Sequence, residues 1–171
     1  MKTIYYYQTF VGLHKLLPHL TDIDVINVSS IHFNESKDGS KNIGWLLKTQ
    51  KQLQNESLSA EIIPGNSVGI LYGFLYGTKA VTSGASVVFP KETFKILELF
   101  QNGEISRAAA QHKKVLKLRE IMNMCSSPPS SAHYILEEIN HSLGVPKSTW
   151  PRVNDQLGEK MMFSIKEVLN N

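Results

Sequence analysis

The stretch Phe33–Leu47, FNESKDGSKNIGWLL, places a carboxamide, an amine and two carboxylates close together, at Asn34, Lys37, Glu35 and Asp38. A neutral lysine amine adds to a ketone, and the iminium that forms withdraws electrons from the adjacent carbon. An amide nitrogen is delocalised into its carbonyl and does not attack. The imidazole of His32, two residues before Asn34, makes no stable iminium. Glu35, Asp38 and Asp22 lie in loop sequence, where carboxylates act as helix caps and surface charge rather than as an acid–base pair. A second group, Tyr5, Tyr6 and Tyr7, offers phenols that could relay a proton or simply pack a core as aromatic strand residues.

The remaining residue types narrow the chemistry. Six histidines are dispersed and Cys125 is the single cysteine, so no metal-ligand spacing is present and no internal disulfide can form. That usage suits a reducing, cytoplasmic compartment. Cys125 sits in NMCSSPP with no neighbouring base, which reads as a structural thiol rather than a nucleophile. No G-x-x-x-x-G-K phosphate loop occurs, and no cofactor is expected. Net charge is +3 and the cations are scattered. Their densest cluster, Lys113, Lys114, Lys117 and Arg119, reads as the solvated face of one helix rather than a nucleic-acid surface. No apolar run long enough to span a membrane is present, and the N-terminus MKTIYYYQTF has no apolar core of a signal peptide. Without an export signal the sequons NVS, NES and NHS carry no weight.

These groups are positioned by alternating strand-like and helix-like segments. TIYYYQTF, DVINVSSIHF, SAEIIPG and KAVTSG read as strands. VGLHKLLPHL, SKNIGWLLKTQKQLQ, SVGILYGFLYG and KETFKILELFQNG read as the helices that follow them. Gly77 and Gly103 close two of these helices. Beyond them the pattern is helical only: EISRAAAQHKKVLKLREIMNM, then the loop CSSPPSS, then SAHYILEEINHSLG closed by Gly144, and a last helix NDQLGEKMMFSIKEVL. Strands each followed by a helix pair in parallel through right-handed crossovers. The pattern alone fits either a small flavodoxin-like sheet or half of an eight-stranded barrel.

Five blocks of this sequence, in order, resemble the dihydrodipicolinate synthase / N-acetylneuraminate lyase family of class I aldolases. They are IYYYQTFVG, FNESKDGSKNIGWLL, IIPGNS, GTKAVTSGASVVFP and NGEISRAAA. The late LGVPKSTWPRV is also similar. The likeness covers nearly all of the chain but only the second half of the family's usual length. It implies an α/β fold, the C-terminal half of a (β/α)8 TIM barrel with about four βα units over residues 1–103, followed by a C-terminal helical region over 104–171.

The resemblance also implies roles. The family's Schiff-base lysine, which binds pyruvate or a similar keto acid, falls on Asn34. Its proton-relay tyrosine falls on Tyr5, with Tyr6 and Tyr7 leaving the register open by one or two. Gly65 and Thr82 match positions where backbone approaches the keto acid, and Gly84, Ala85 and Ser86 follow the last strand, where barrel ligands sit. Phe10 stands where the synthase branch carries a carboxylate-binding arginine, and Gln8 stands in place of the family proline. Lys37 is out of register with Asn34 and does not replace the missing amine.

The implied function is that of a truncated or degenerate lyase-family member lacking Schiff-base activity alone. The alternative is a keto-acid aldolase that becomes active when a second copy or a complementary half-barrel chain completes it. Four barrel strands would expose an apolar inner face and two edges, around Tyr5 and Val81, which a twofold partner could cover. A small keto acid and such an oligomer are the expected partners, with no nucleic acid and no membrane.

Overall fold

The computed structural model describes residues 4–7, 25–29, 51, 54–55, 61–139, 143–144 and 151–170, with backbone alone for 4–7, 25–29 and 61–62. The helices expected over VGLHKLLPHL and most of SKNIGWLLKTQKQLQ lie outside these residues; residues 51 and 54, at the end of the latter, and 55 just past it are helical. Contacts divide the chain into two compact units, Met1–Ser83 and Gly84–Asn171.

In the first unit, three of the expected strands form: β1 (Ile4–Tyr7), β2 (Val25–Ser29) and β3 (Glu61–Gly65). They make one parallel sheet in the order β1-β2-β3. The register aligns Tyr5 with Ile26 and Ile26 with Ile62, and at the far end Ser29 with Gly65. Parallel neighbours need a crossover between them, which agrees with the alternating strand and helix pattern. Helix α1 (Gly69–Leu75) follows β3 after a short turn. Asn66 makes that turn: its side-chain oxygen accepts from the backbone N–H groups of Val68 and Gly69. Gly77 then ends the helical run with φ at +81°, a conformation that suits glycine.

The fourth expected strand does not form. Thr78–Ser83 is irregular. Among the described residues it meets β3 through the Thr82 N–H, which donates to the Pro64 carbonyl at 2.8 Å. One bond is not a ladder, and the segment turns at Gly84 before a second can follow. Three of the four expected strands are therefore present among the described residues.

The second unit is helical: α2 (Ala85–Val88), α3 (Pro90–Gln101), α4 (Ile105–Met122), α5 (Pro128–Glu138) and α6 (Asp155–Asn170). Helix α2 has no counterpart in the sequence reading, because four residues are too few for a periodic pattern. Gly103, with φ at +77°, folds α3 back on α4. This close pairing puts α3 in the same compact unit as α4, Gly84–Asn171. The Gln111 side chain donates to the Glu92 carbonyl at 2.9 Å and ties the two helices again.

The loop expected over CSSPPSS is shorter than the sequence suggested, for α5 begins at Pro128. Proline is at ease in a first turn, where its missing N–H has no partner to lose, and the Ser127 hydroxyl caps the helix by accepting from the Ser130 N–H. Asn154 caps α6 in the same manner through the Leu157 N–H, at 2.9 Å.

The core of this unit follows the helical stripes. Ile96 of α3, Val115, Leu118 and Met122 of α4, Ile135 of α5 and Met161 of α6 are all essentially inaccessible. Side chains of this size, fully buried, each contribute about 1.5–3 kcal/mol. Cys125 is buried as well. Among the described residues no helix is long and apolar enough to cross a membrane.

Gly158 of α6 lies directly under the Tyr134 ring, so that an added Cβ would overlap the ring's outer end. Burial, and then the carboxylates of Glu138, Asp155 and Glu159, push the Tyr134 phenol above its ordinary range. That ring end can swing about χ1, whereas alanine gains about 1 kcal/mol of helix propensity over glycine. Gly158→Ala will therefore change the urea midpoint by no more than the equivalent of about 1 kcal/mol, while shifting near-ultraviolet circular dichroism from the displaced tyrosine. A larger destabilisation would show that Tyr134 is held rigidly.

Candidate functional site

Two of the expected site residues, Gly65 and Thr82, come together at the C-terminal end of β3. Pro64 and Gly65 finish the strand, and Pro64 is fully buried. Its ring packs under α1: a Cβ built on Gly73 would stand 2.8 Å from Pro64 Cγ, 2.7 Å from Thr78 Oγ1 and 3.2 Å from Val81 Cγ1. Only a residue without a side chain lets the helix come this close. That close seat carries Thr78–Ser83 back across the end of β3 and brings Thr82 to Pro64. Gly65 and Thr82, far apart in sequence, thus meet at one strand end. Thr82 is exposed and Gly65 partly so.

Two serines join them that the sequence reading did not select. Ser67 Oγ and Ser83 Oγ are hydrogen-bonded at 2.7 Å across the same strand end. Ser67 is buried, 3% exposed, and Ser83 is half-buried. Their only signal in sequence is that each follows a residue already chosen, in PGNS and VTSG.

Tyr5 sits farther down the sheet. Its rung is that of Ile26 and Ile62, and Gly65 lies three residues beyond Ile62, about 10 Å along the strand. Rungs alternate between the two faces of a sheet. Tyr7 and Val28 share a rung with Pro64, whereas Asn27 and Ile63 share one with Tyr6. Asn34, like His32, Glu35, Lys37, Asp38, Asp22, Gln8 and Phe10, lies outside the described residues.

In the second unit, Gly84 and Ser86 are accessible or partly so, whereas Ala85 is completely buried. Arg119 parts from its lysine neighbours: it is half-buried beside Gly84, with a guanidinium nitrogen 3.6 Å from where a Gly84 Cβ would stand. Burial lowers its pKa. Lys113 and Lys117 are exposed as expected.

The strand end at Gly65 and Thr82 therefore offers polar backbone and two hydroxyls. These groups can hold a carbonyl or carboxylate oxygen, but they include neither an amine nucleophile nor a general base. No three His, Cys, Asp or Glu side chains among the described residues are placed to hold a metal ion.

Comparison with solved structures decides the fold. A variant of the 2-keto-3-deoxygluconate aldolase of Sulfolobus solfataricus superposes with a TM-score of 0.75 at 13% identity, over 96% of this chain and 54% of that one. The chain carries part of the dihydrodipicolinate synthase-family barrel fold. The dihydrodipicolinate synthase of Bacillus anthracis matches with a TM-score of 0.72 at 13% identity, over 100% of this chain and 55% of that one. YagE, a prophage protein of Escherichia coli belonging to the dihydrodipicolinic acid synthase family and solved with pyruvate, gives 0.72 at 12% identity, over 99% and 56%. This chain thus spans about half the length of the aldolase-fold structures it matches. No protein-family profile and no curated protein matches it by sequence. At this identity the shared property is the partial barrel fold, with the Gly65–Thr82 strand end as its described candidate site.

Proposed function

We propose that this chain is a degenerate relative of the keto-acid aldolases, one that receives a small keto acid at its strand ends without forming a Schiff base of its own. The observation that carries the reading is the partial barrel fold shared with aldolases, taken with the carboxamide of Asn34 where the resemblance puts the amine. YagE was solved with pyruvate, which supports a keto acid as the ligand class. The Gly65–Thr82 strand end and the Ser67–Ser83 hydroxyl pair would supply hydrogen bonds to its oxygens. A keto acid polarised by hydrogen bonds alone has no covalent electron sink, so carbon–carbon cleavage lacks its main driving element. Of the tyrosines, the resemblance gives the relay role to Tyr5, with Tyr6 and Tyr7 leaving the register open by one or two.

The second reading is a carbon–carbon lyase assembled with another copy or a complementary chain that brings the amine. Incubation with pyruvate and borohydride distinguishes the two. The chain by itself is expected to keep its unmodified mass. A reduced adduct on Lys37, or on any other lysine of this chain at substoichiometric pyruvate, would overturn the proposal, and an adduct formed only in a larger assembly, resolved by size exclusion, would favour the lyase.

A further inference from the structure

In the helical unit, α3, α4 and α6 enclose a groove of about 740 Å3 whose walls are strongly basic. Lys95 comes from α3, Arg107, Lys113, Lys114 and Lys117 from α4, and the one carboxylate on the lining is Glu167 of α6. Leu99, Ala110 and Val168 give it an apolar floor. The whole chain has a net charge of only +3, so this cavity holds a large part of the excess. Lys113 and Lys117 are four residues apart on one helix face, where like charges repel and weaken the helix. Both are exposed, and neither has an ion-pair or hydrogen-bond partner among the described residues.

The other cations are held in place around this free pair. Lys114 Nζ donates to the Leu169 carbonyl at 3.0 Å, which fixes the α6 terminus to α4. Lys95 pairs with Glu98, and Arg107 with Glu104, each three residues away on the surface. Exposed pairs of this kind are weak, and a stronger anion draws the cation away at little cost.

We infer that this groove binds a small, multiply charged phosphate compound. Its volume is in the range of small-ligand sites. Lysine is a point-charge binder suited to phosphate, and an arginine on the wall adds a forked donor. The cations converge on a bounded concavity from two helices instead of running along an extended stripe, which favours a compact anion over a nucleic-acid duplex. The inference concerns the helical unit only and is independent of the keto-acid reading.

The test is calorimetric titration of the intact chain with inorganic triphosphate, with a short DNA duplex and anionic phospholipid vesicles as parallel arms. Triphosphate should bind saturably at one site, more weakly as salt rises. The double variant Lys113→Gln/Lys117→Gln should weaken it about tenfold, since it removes two unpaired cations from the wall. Lys160→Gln removes a single charge, half that change, on α6 outside the groove and should leave binding intact. All three positions are exposed, so far-ultraviolet circular dichroism of the variants should match that of the parent. The inference is overturned by absent or non-saturable triphosphate binding, by equal weakening in Lys160→Gln, or by tighter binding to the duplex or the vesicles than to triphosphate.

Discussion

Asn34→Lys will turn a chain that pyruvate and borohydride leave unmodified into one that carries a reduced adduct at position 34. The argument is chemical. A lysine with its ordinary pKa of about 10.4 is neutral in roughly one molecule in a thousand near pH 7.4, so the native surface lysines trap a ketone slowly and without preference. Desolvation at a strand end lowers an amine's pKa, and a fall of about two units raises the neutral fraction roughly a hundredfold. The introduced amine should therefore react about a hundred times faster than the average native lysine. Intact-mass measurement gives the stoichiometry and peptide mapping gives the position. If the adduct instead spreads evenly over the lysines, position 34 does not face a ligand pocket, and the alignment of FNESKDGSKNIGWLL with the aldolase motif is wrong. The result is informative without turnover, because trapping needs only the amine and the ketone.

The second large effect is structural. Gly73→Ala will destabilise the sheet-bearing unit by about 1–3 kcal/mol, read as a lower urea midpoint with an unchanged slope. The new methyl group would stand 2.7 Å from Thr78 Oγ1 and 2.8 Å from Pro64 Cγ. Neither neighbour can swing aside. Pro64 is a ring fixed in β3, and Thr78 is β-branched and buried. Helix α1 must then lift from the strand, and the Thr82 N–H bond to Pro64 stretches with it. Alanine's better helix propensity, about 1 kcal/mol, offsets only part of this. At Gly158 the obstacle is the loose end of one tyrosine ring, whereas here it is the strand that forms the candidate site. Equal or greater stability for Gly73→Ala would mean that α1 does not sit on β3 as described.

Local signals in the sequence were enough for the elements whose causes are local. Val, Ile and Tyr runs define β1, β2 and β3, and the stripes Thr93, Ile96, Leu99 and Met161, Ile165 define buried faces of α3 and α6. Gly77 and Gly103 take positive φ just past the ends of α1 and α3, as the helix-ending role requires, whereas α5 already ends at Glu138 with Ile139 as its C-cap, so Gly144, also at positive φ, does not close it. The same reading failed at KAVTSG, whose composition suits a strand but whose pairing with β3 stops at one bond. A ladder depends on a partner running alongside, and composition does not record that. It also missed α2 and began α5 too late, because a four-residue helix has no period and a Pro-Pro pair looks like a break until Ser127 is seen to cap it.

What the sequence determined by itself is chemical identity: a carboxamide at position 34, one thiol, no phosphate loop, and a set of blocks that resemble an aldolase family. Tertiary structure alone decided proximity. It brought Ser67 to Ser83 across the end of a strand, seated Gly73 on Pro64, separated Arg119 from Lys113 and Lys117, and collected Lys95 with the lysines of α4 around one groove. The reason is the same in each case: spacing along the chain fixes which face of a helix or strand a residue occupies, but which faces meet depends on packing between segments distant in sequence.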